Sequence, residues 1–125
     1  GYDDALYAAL RLISIISNGQ RSLADWRDSL PQTFSTPELR FPISEERKFV
    51  VVDDIKKRLK SAKAKANDID GVRVLTDDGW WLVRASNTQA VLVARAESQS
   101  QAGLERLKGL LSEQLELSGL SAPKM

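Results

Sequence analysis

The sequence contains neither cysteine nor histidine. Without cysteine there is no disulfide framework, no thiol nucleophile and no thiolate metal site, and the composition fits a reducing compartment. Without histidine there is no serine–histidine triad, no histidine general base and no histidine-ligated metal. No apolar run approaches the roughly 18 residues of a membrane-spanning helix, and nothing at the N-terminus is typical of a signal peptide. We therefore expect a cytoplasmic protein.

A charge excess of one sign is also missing. The 18 lysine and arginine residues are matched by 17 aspartate and glutamate residues, which gives a net charge of +1. A nucleic-acid-binding protein usually has a more lopsided balance or a dense basic face. The 125 residues, of which 42% are hydrophobic, are enough for one domain or for a small domain with part of a second. Since Gly1 leads straight into helical sequence, we expect a piece of a longer protein.

Two helices are predicted before the pattern changes. Residues 3–17 place apolar side chains at helical spacing. A second, shorter helix is predicted over residues 23–30, where Ser22 can cap the N-terminus and Asp25 stands three residues later, as in a capping box. Residues 31–37 are rich in proline, serine and threonine, which is typical of a linker.

Beyond the linker, strand-like and helix-like periods alternate. The predicted order is strand, helix, three strands and helix, over residues 38–43, 45–65, 69–75, 80–85, 90–97 and about 98–117. The first of these helices, capped by Ser44, has an apolar stripe of Phe49, Val52, Ile55, Leu59, Ala62 and Ala66. The last, capped by Ser98 or Ser100, has a leucine face of Leu104, Leu107, Leu111 and Leu115. The sequence at residues 76–79 is a strong turn signal.

This order predicts an α+β fold. A small, mostly antiparallel four-stranded sheet in the order β-α-β-β-β-α would carry two helices on one face, because two of its connections are hairpins. The first two helices lie outside that unit and are interpreted as the end of a preceding α/β domain. The expected organisation is therefore residues 1–36 from that domain and its linker, residues 37–118 as the C-terminal unit, and residues 119–125 as a frayed tail.

Residues 84–88 are the most informative stretch for chemistry. They read Arg-Ala-Ser-Asn-Thr and stand between two strands rich in valine, leucine and tryptophan. Arginine provides a planar fork that pairs two phosphate oxygens, the serine, asparagine and threonine add short donors, and a turn can direct successive backbone N–H groups into one concavity. Taken alone, the stretch favours an ordinary hairpin turn with an arginine at its edge, because short motifs often match by accident. A phosphate site is the alternative.

Three further features have a structural and a functional interpretation. A basic run could bind nucleic acid or an anionic membrane, or it could complement the dipole of its helix, which is favoured; it comprises Lys56, Lys57, Arg58, Lys60, Lys63 and Lys65. The adjacent Trp80 and Trp81 face opposite sides of a strand, so one is expected in the core and sugar stacking is less favoured. Asp77 and Asp78 are expected to form the turn rather than a catalytic pair.

Several segments together resemble the alpha-D-phosphohexomutases, the bacterial phosphomannomutase/phosphoglucomutase type. The resemblance rests on Trp-Leu-Val-Arg-Ala-Ser-Asn-Thr and the strand after it, and on four further stretches in the family's order. These segments are residues 81–88 and 91–97, 1–9, 34–40, 71–74 and 79–80. The similarity covers the C-terminal domain, a TATA-box-binding-protein-like fold, and the last helix of the third domain.

The resemblance implies a role for the loop. Enzymes of this family have four domains around a cleft, and the fourth grips the substrate's phosphate through an Arg-x-Ser-x-Thr loop. Carried over by motif, the grip would consist of Arg84, Ser86, Asn87 and Thr88. Arg95 on the next strand would support it. The family usually has proline where this sequence has Ala90, which affects the rigidity of the loop.

The resemblance also implies what other domains contribute. A phosphoserine in the first domain, magnesium held by an Asp-rich loop in the second and a sugar-reading loop in the third have no counterpart in this sequence. The intact enzyme would interconvert hexose 1-phosphate and 6-phosphate through a hexose 1,6-bisphosphate, with Mg²⁺ as its cofactor. This chain alone would hold no cofactor and catalyse nothing. Its partners would be the phosphosugar and domains 1–3 of the same chain, with neither nucleic acid nor membrane.

An alternative hypothesis is a non-enzymatic binding module that uses the basic helix over residues 45–65 for nucleic acid or protein. The near-zero net charge and the lack of interleaved aromatic residues argue against it. Either way, the apolar stripe of the first helix, Leu6, Leu10 and Ile13, needs a cover. We expect it to pack on the C-terminal unit, to pair with another copy, or to lie exposed.

Overall fold

A computed structural model describes residues 3–121. The chain forms two compact units that divide between Gln32 and Thr33. The first unit contains the two predicted helices, α1 (Ala5–Asn18) and α2 (Leu23–Asp28). That this unit is the end of a preceding domain stays a prediction.

The first unit is organised by capping and not by burial. The Asp4 carboxylate accepts a 2.8 Å hydrogen bond from the Tyr7 backbone N–H at the start of α1. Ser22 and Asp25 form the predicted capping box, in which each side chain bonds the other residue's backbone N–H, and the hydrogen bonds from Ser22 lower the pKa of Asp25. No residue of α1 is buried, so its apolar stripe is exposed to solvent.

The second unit is a sheet with two helices. Its elements are β1 (Phe34–Ser35), β2 (Leu39–Pro42), α3 (Glu45–Ser61), β3 (Ala66–Asn67), β4 (Val72–Thr76), β5 (Gly79–Ala85), β6 (Val91–Ser98) and α4 (Gln101–Glu116). The strands lie in the order β1-β6-β5-β4-β3, and β2 also pairs with β6. All of these pairs are antiparallel. The predicted α+β class is confirmed, with two short strands beyond the four expected.

One of these short strands lies in the segment predicted as a linker. In β1, Phe34 pairs with Ser98 of β6. Thr36 continues the contact: its N–H donates to the Ala96 carbonyl oxygen at 3.0 Å, and its hydroxyl accepts from the Ala96 N–H at 3.1 Å. Residues 34–36 therefore belong to the sheet.

Helix α3 differs from its prediction in length and in orientation. It ends at Ser61 and not at residue 65, because Lys63 adopts a left-handed φ of 54°. Ala66, predicted in the apolar stripe, lies in β3. Phe49, predicted to begin that stripe, is 52% exposed. The buried side of α3 begins one residue earlier and comprises Lys48, Val51, Val52, Ile55 and Leu59.

The core lies between one face of the sheet and both helices. Alternate residues of the strands supply the sheet's share, as the twofold period of a strand requires. They are Phe41, Val72, Val74, Trp81, Val83, Ala85, Leu92, Ala94 and Ala96. The leucine face of α4 completes the core as predicted, since all four leucines are buried. At about 1.5–3 kcal/mol for each large apolar side chain, this packing dominates the stability of the unit.

The turn between β4 and β5 also holds α4 in place. Gly79 has a φ of 136°, which side chains with a Cβ rarely adopt. Asp78, expected only as a turn former, receives hydrogen bonds from the Arg106 guanidinium of α4. These bonds hold the pKa of Asp78 below its usual value.

The predicted serine caps have different outcomes. Ser100 caps α4, accepting from the Gly103 N–H at 3.0 Å, whereas Ser98 is the last residue of β6 and its hydroxyl donates to the Asp78 carbonyl oxygen. Ser44 occupies the N-cap position of α3, but its side chain makes no capping hydrogen bond. Ser44 and Ser100 therefore occupy predicted N-cap positions, whereas Ser98 does not, and of the two only Ser100 makes a side-chain capping bond.

The two adjacent tryptophans face opposite sides of β5, as predicted. Trp81 is 1% exposed and belongs to the core; among residues 3–121 its indole N–H has no hydrogen-bond partner. Trp80 is partly exposed, and the Arg73 guanidinium lies 4.5 Å from its ring centroid. Within residues 3–121, no helix has both the length and the apolar character needed to cross a membrane.

Removing residues 1–32 is expected to leave a chain that folds. The core of the second unit is contributed by residues between Phe41 and Leu115, so the truncation removes none of it. Circular dichroism should show one cooperative thermal transition close to that of the full chain. Sedimentation should show less self-association, because exposed apolar side chains have been removed. A shortened chain without a cooperative transition would contradict the division at Gln32.

Candidate phosphate-binding site

The candidate site is the connection between β5 and β6, residues 86–90, which we call the 86–90 loop. The Ser86 N–H donates to the Val91 carbonyl oxygen at 3.0 Å and closes the base of the loop. The Ser86 Oγ accepts from the backbone N–H groups of Thr88 at 3.4 Å and Gln89 at 3.2 Å. Two backbone donors expected to face a phosphate are therefore directed inward in this conformation.

Unlike these backbone donors, the side-chain donors of the loop are not engaged within it. Among residues 3–121, the side chains of Asn87 and Thr88 make no hydrogen bond, and both residues are exposed. The Ser86 hydroxyl acts as an acceptor in both of its contacts, so its proton can still be donated. Three adjacent side chains are therefore able to donate to an anion.

Arg84 lies near the end of β5, two residues before the loop. The Arg84 side chain is 35% exposed, and its Nη1 lies 3.5 Å from the Asp70 Oδ2. The Asp70 side chain is 67% exposed. An exposed pair of this length contributes roughly 0–1 kcal/mol. The guanidinium can therefore exchange Asp70 for a phosphate at little cost.

The sheet register brings other arginines to the same face as Arg84. Arg84 pairs with Val93, which pairs in turn with Arg40, and Leu82 lies between Arg73 and Arg95. We call this side of the sheet the arginine face, defined by Arg40, Arg73, Arg84 and Arg95. Arg95 is diagonal to Arg84 across the β5–β6 pair, a separation that long side chains can span. The register thus allows the predicted support of Arg84 by Arg95.

The backbone at Gly71, just before β4, passes very close to the backbone of Val83 and Arg84. Gly71 has a φ of 71°. A Cβ at this position would overlap the Val83 carbonyl oxygen and the Cα and Cβ of Arg84. Only glycine fits, so Gly71 is one of the residues that define the site and that sequence reasoning missed.

Gln89 is held from two other elements of the unit. Its carbonyl oxygen accepts from the buried Lys48 Nζ of α3 at 3.1 Å. Its side-chain Oε1 accepts from Arg40 Nη1 of β2 at 2.5 Å. No motif or spacing pointed to Lys48 or Arg40, which are 41 and 49 residues distant in sequence.

Ala90 is the centre of a tight turn. The Val91 N–H donates to the Gln89 carbonyl oxygen at 2.9 Å. This bond between residues two apart defines a γ-turn, and the φ of Ala90 is not positive, so the turn is of the inverse type with φ near −75°. Among residues 3–121, the Ala90 N–H makes no hydrogen bond.

One cavity lies beside the candidate site, and a larger one lies elsewhere in the second unit. A cavity of about 200 Å³ beside the loop is lined by Phe49, Val52, Asp53, Lys56, Ile69, Asp70, Gly71, Ala85 and Asn87. It is smaller than the roughly 300–1,000 Å³ of complete small-molecule sites, as suits one part of a larger site. A cavity of about 550 Å³, which Trp81 lines, contains none of the predicted site residues. Within the described residues, no group of three or more acidic side chains could hold a metal ion.

The predicted basic run does not form one uniform helix surface, because Lys63 and Lys65 lie beyond the end of α3 at Ser61. Arg58 donates to the Gln114 Oε1 and carbonyl oxygen, both at 3.0 Å, and to the Ser118 hydroxyl, so it fastens α3 to the end of α4. Lys57 pairs with Asp54 at 3.3 Å. This arrangement favours the structural interpretation of the run over nucleic-acid or protein binding, which stays an alternative hypothesis.

Comparison with known proteins identifies the family. The model described as "Phosphoglucomutase/phosphomannomutase, C-terminal domain" matches residues 38–114. A phosphomannomutase/phosphoglucomutase of Pseudomonas syringae pv. tomato is 41% identical over 115 residues, which cover 92% of this chain and 25% of that protein. A phosphoglucomutase of Neisseria gonorrhoeae is 39% identical over 110 residues, or 86% of this chain and 24% of that protein.

A solved structure agrees with these similarities. The phosphoglucomutase/phosphomannomutase family protein from Burkholderia thailandensis has a TM-score of 0.79 at 33% identity, covering 98% of this chain and 26% of that one. The sequence and the sheet define a C-terminal domain of the phosphohexomutase class. The chain belongs to the phosphoglucomutase/phosphomannomutase family, as the sequence resemblance predicted, and spans about a quarter of the length of the curated relatives it matches.

Replacing Gly71 by alanine is expected to disturb Arg84 directly. The new methyl group meets backbone atoms of Val83 and Arg84, and the positive φ adds strain, so the loss of stability should exceed about 1 kcal/mol. Urea denaturation and the backbone NMR signals of residues 83–85 provide the measurement. Gly109→Ala is the matched control: its Cβ meets no atom within 4 Å, so it should stabilise α4 by up to about 1 kcal/mol. A Gly71→Ala chain as stable as the original would contradict the assigned close approach.

Replacing Ala90 by proline is expected to be tolerated and to stiffen the loop. The inverse γ-turn already has the φ that proline requires, and the missing N–H would break no hydrogen bond among the described residues. A gain of about 0.4–1 kcal/mol in unfolding free energy should follow. Val91→Pro, one residue further on, removes the N–H that bonds Gln89 and should destabilise the chain. If both variants lose stability equally, the γ-turn assignment is wrong.

Proposed function

We propose that this chain is the part of a phosphohexomutase that holds the substrate's phosphate. In this proposal Arg84, Ser86, Asn87 and Thr88 grip the phosphate and Arg95 supports Arg84. The observation that carries the proposal is the junction of β5 and the 86–90 loop. There an accessible guanidinium with one weak partner precedes three side chains that can still donate.

This set of donors suits the negatively charged oxygens of a phosphate group. The guanidinium can donate two parallel hydrogen bonds to two phosphate oxygens, and such charge-assisted bonds are about twice as strong as neutral ones. The hydroxyl groups of Ser86 and Thr88 and the amide of Asn87 add neutral donors. No group of the set is a base or a nucleophile at neutral pH, so the loop binds and orients a phosphate without reacting with it.

The parent enzyme would interconvert hexose 1-phosphate and 6-phosphate of glucose or mannose. Phosphoryl transfer depends on positioning and on electrostatic stabilisation, and a bisphosphorylated intermediate must turn end for end between its two steps. A loop that holds either phosphate while the other reacts serves both steps. Closure of its domain over the cleft would exclude water. Because the described acidic residues form no metal-binding cluster, we assign no step through magnesium to this chain.

Arg84→Ala is expected to weaken phosphosugar binding. A lost charge-assisted contact is worth roughly 1.5–3 kcal/mol, or about tenfold to hundredfold in affinity. Titration of the 125-residue chain with glucose 1-phosphate should shift the NMR signals of residues 84–88, weakly in the original and much less in the variant. Arg84→Lys should recover only part of the affinity, because a point charge does not reproduce the fork.

The control for Arg84→Ala removes one positive charge from a different position on the same face of the sheet. Arg73→Ala also removes one positive charge from the arginine face, but Arg73 stacks on Trp80 and should leave the affinity unchanged. Equal losses in both variants would indicate a general charge effect. Ligand-induced shifts that avoid residues 84–88 would overturn the proposal.

A further inference from the structure

Lys48 is an unusual member of the core. It belongs to the first turns of α3 and is 1% exposed. Its Nζ lies 2.6 Å from the Glu45 Oε2 and donates to the Gln89 carbonyl oxygen at 3.1 Å. A buried ammonium is costly unless it is paired and hydrogen-bonded. These two acceptors compensate it, and the Phe49 ring centroid lies 5.2 Å from Nζ.

The tether from Lys48 joins a rigid element to the residue that follows Thr88. The Gln89 carbonyl oxygen accepts hydrogen bonds from both the Lys48 ammonium and the Val91 N–H. The Gln89 backbone N–H donates to the Ser86 hydroxyl oxygen, and the Gln89 side chain accepts from Arg40. Gln89 is thus fixed from α3, from β2 and from within the loop. Asn87 and Thr88 lie between two anchored residues, Ser86 and Gln89.

We propose that Lys48 is a positioning residue for the phosphate-binding loop: through the Gln89 carbonyl it orders the 86–90 loop before the phosphate arrives. The inference rests on the proposed function of that loop. A loop that is already ordered loses less conformational freedom when it binds, so the same donors give a higher affinity. Lys48 does this without touching the ligand, in contrast to Arg84.

Lys48→Met separates this role from a purely structural one. Methionine keeps an unbranched apolar stem in the core and removes the ammonium. The Gln89 carbonyl oxygen retains the Val91 N–H, and the Glu45 side chain is 58% exposed, so no buried group loses its last partner. The unfolding midpoint is therefore expected to change little, since apolar replacements of buried charges are often neutral.

Two readouts in the full chain are expected to change. Hydrogen–deuterium exchange of the Thr88 and Gln89 backbone amides should accelerate, because the loop opens more often. The affinity for glucose 1-phosphate should fall by about twofold to tenfold, the usual cost of ordering one or two groups on binding. Adding Ala90→Pro to Lys48→Met should slow the exchange again and restore affinity, because proline reduces the freedom of the same turn.

Arg58→Met is the matched control on the same helix. It also replaces a partly buried cation of α3 by methionine, but its bonds go to Gln114 and Ser118. It should lower the unfolding midpoint while the exchange of the 86–90 loop and the phosphosugar affinity stay unchanged. Opposite patterns in the two variants would support a positioning role for Lys48.

The outcomes distinguish this inference from the proposed function. If Lys48→Met leaves loop exchange unchanged, the positioning role is wrong, whatever the affinity does. If Arg84→Ala leaves affinity unchanged, the proposed function fails, and the positioning role, which rests on it, is withdrawn even if the loop loosens. If Lys48→Met does not fold, Glu45→Gln provides the test. This variant changes an exposed side chain and removes the carboxylate that orients the Lys48 ammonium, so exchange of the Thr88 and Gln89 amides should accelerate. Unchanged exchange would overturn the inference.

Discussion

The position of β6 within the sheet is the constraint on which the rest of the second unit depends. It pairs along one edge with β5 and along the other with β1 and β2. In the pair with β5, Ala85 lies opposite Leu92, so the chain has only residues 86–90 in which to return. Because side chains alternate, a slip by one residue would turn Arg84 into the core and expose Trp81. One register thus determines both the packing and the loop that follows it.

This register separates the two tasks of the sheet. The side facing the helices carries aliphatic and aromatic residues whose burial stabilises the fold. The arginine face carries cations with long apolar stems, and Val93 lies in register between Arg40 and Arg84. Although it lies on this face, Val93 is only 6% exposed, as expected where arginine stems cover apolar surface. The Arg40 and Arg84 side chains remain 53% and 35% exposed, so their stems can contribute to packing while their guanidinium groups reach the surface.

Most of the fold could be predicted because most of its elements have a period. The leucine face of α4, the turn at residues 76–79 and the opposite faces of Trp80 and Trp81 follow from periods of 3.6 and 2 and from turn chemistry. Strands of two residues, such as β1 and β3, are too short to have a period. The orientation of α3 differs from the one that periodicity predicts, because Lys48 interrupts the apolar side of the helix and periodicity assigns a lysine to the surface.

The candidate site could be predicted only in its consecutive residues. Arg84 and residues 86–88 form a chemically coherent stretch, and the family resemblance gave them a role that stays a proposal. The residues that shape the loop are contributed by other elements. Gly71 acts through its lack of a Cβ beside Arg84, and the tether of Gln89 to Lys48 exists only once α3 and the sheet have packed. No local pattern contains that information.

Lys48 also has an energetic implication that reaches beyond the loop. Its ammonium is buried, and it lies near the positive N-terminal end of α3, where the helix dipole disfavours a cation. A cation at this position is costly unless it is paired, and Lys48 is paired with Glu45 and bonded to the Gln89 carbonyl oxygen. An apolar residue at this position would fill the core without needing either partner. Stability alone therefore gives little reason for a lysine here, whereas a bond from a rigid helix to the Gln89 carbonyl gives a specific one. Core positions that exchange packing for order in a binding loop are where the stability and the function of a protein compete, and the proposed positioning role would place Lys48 among them.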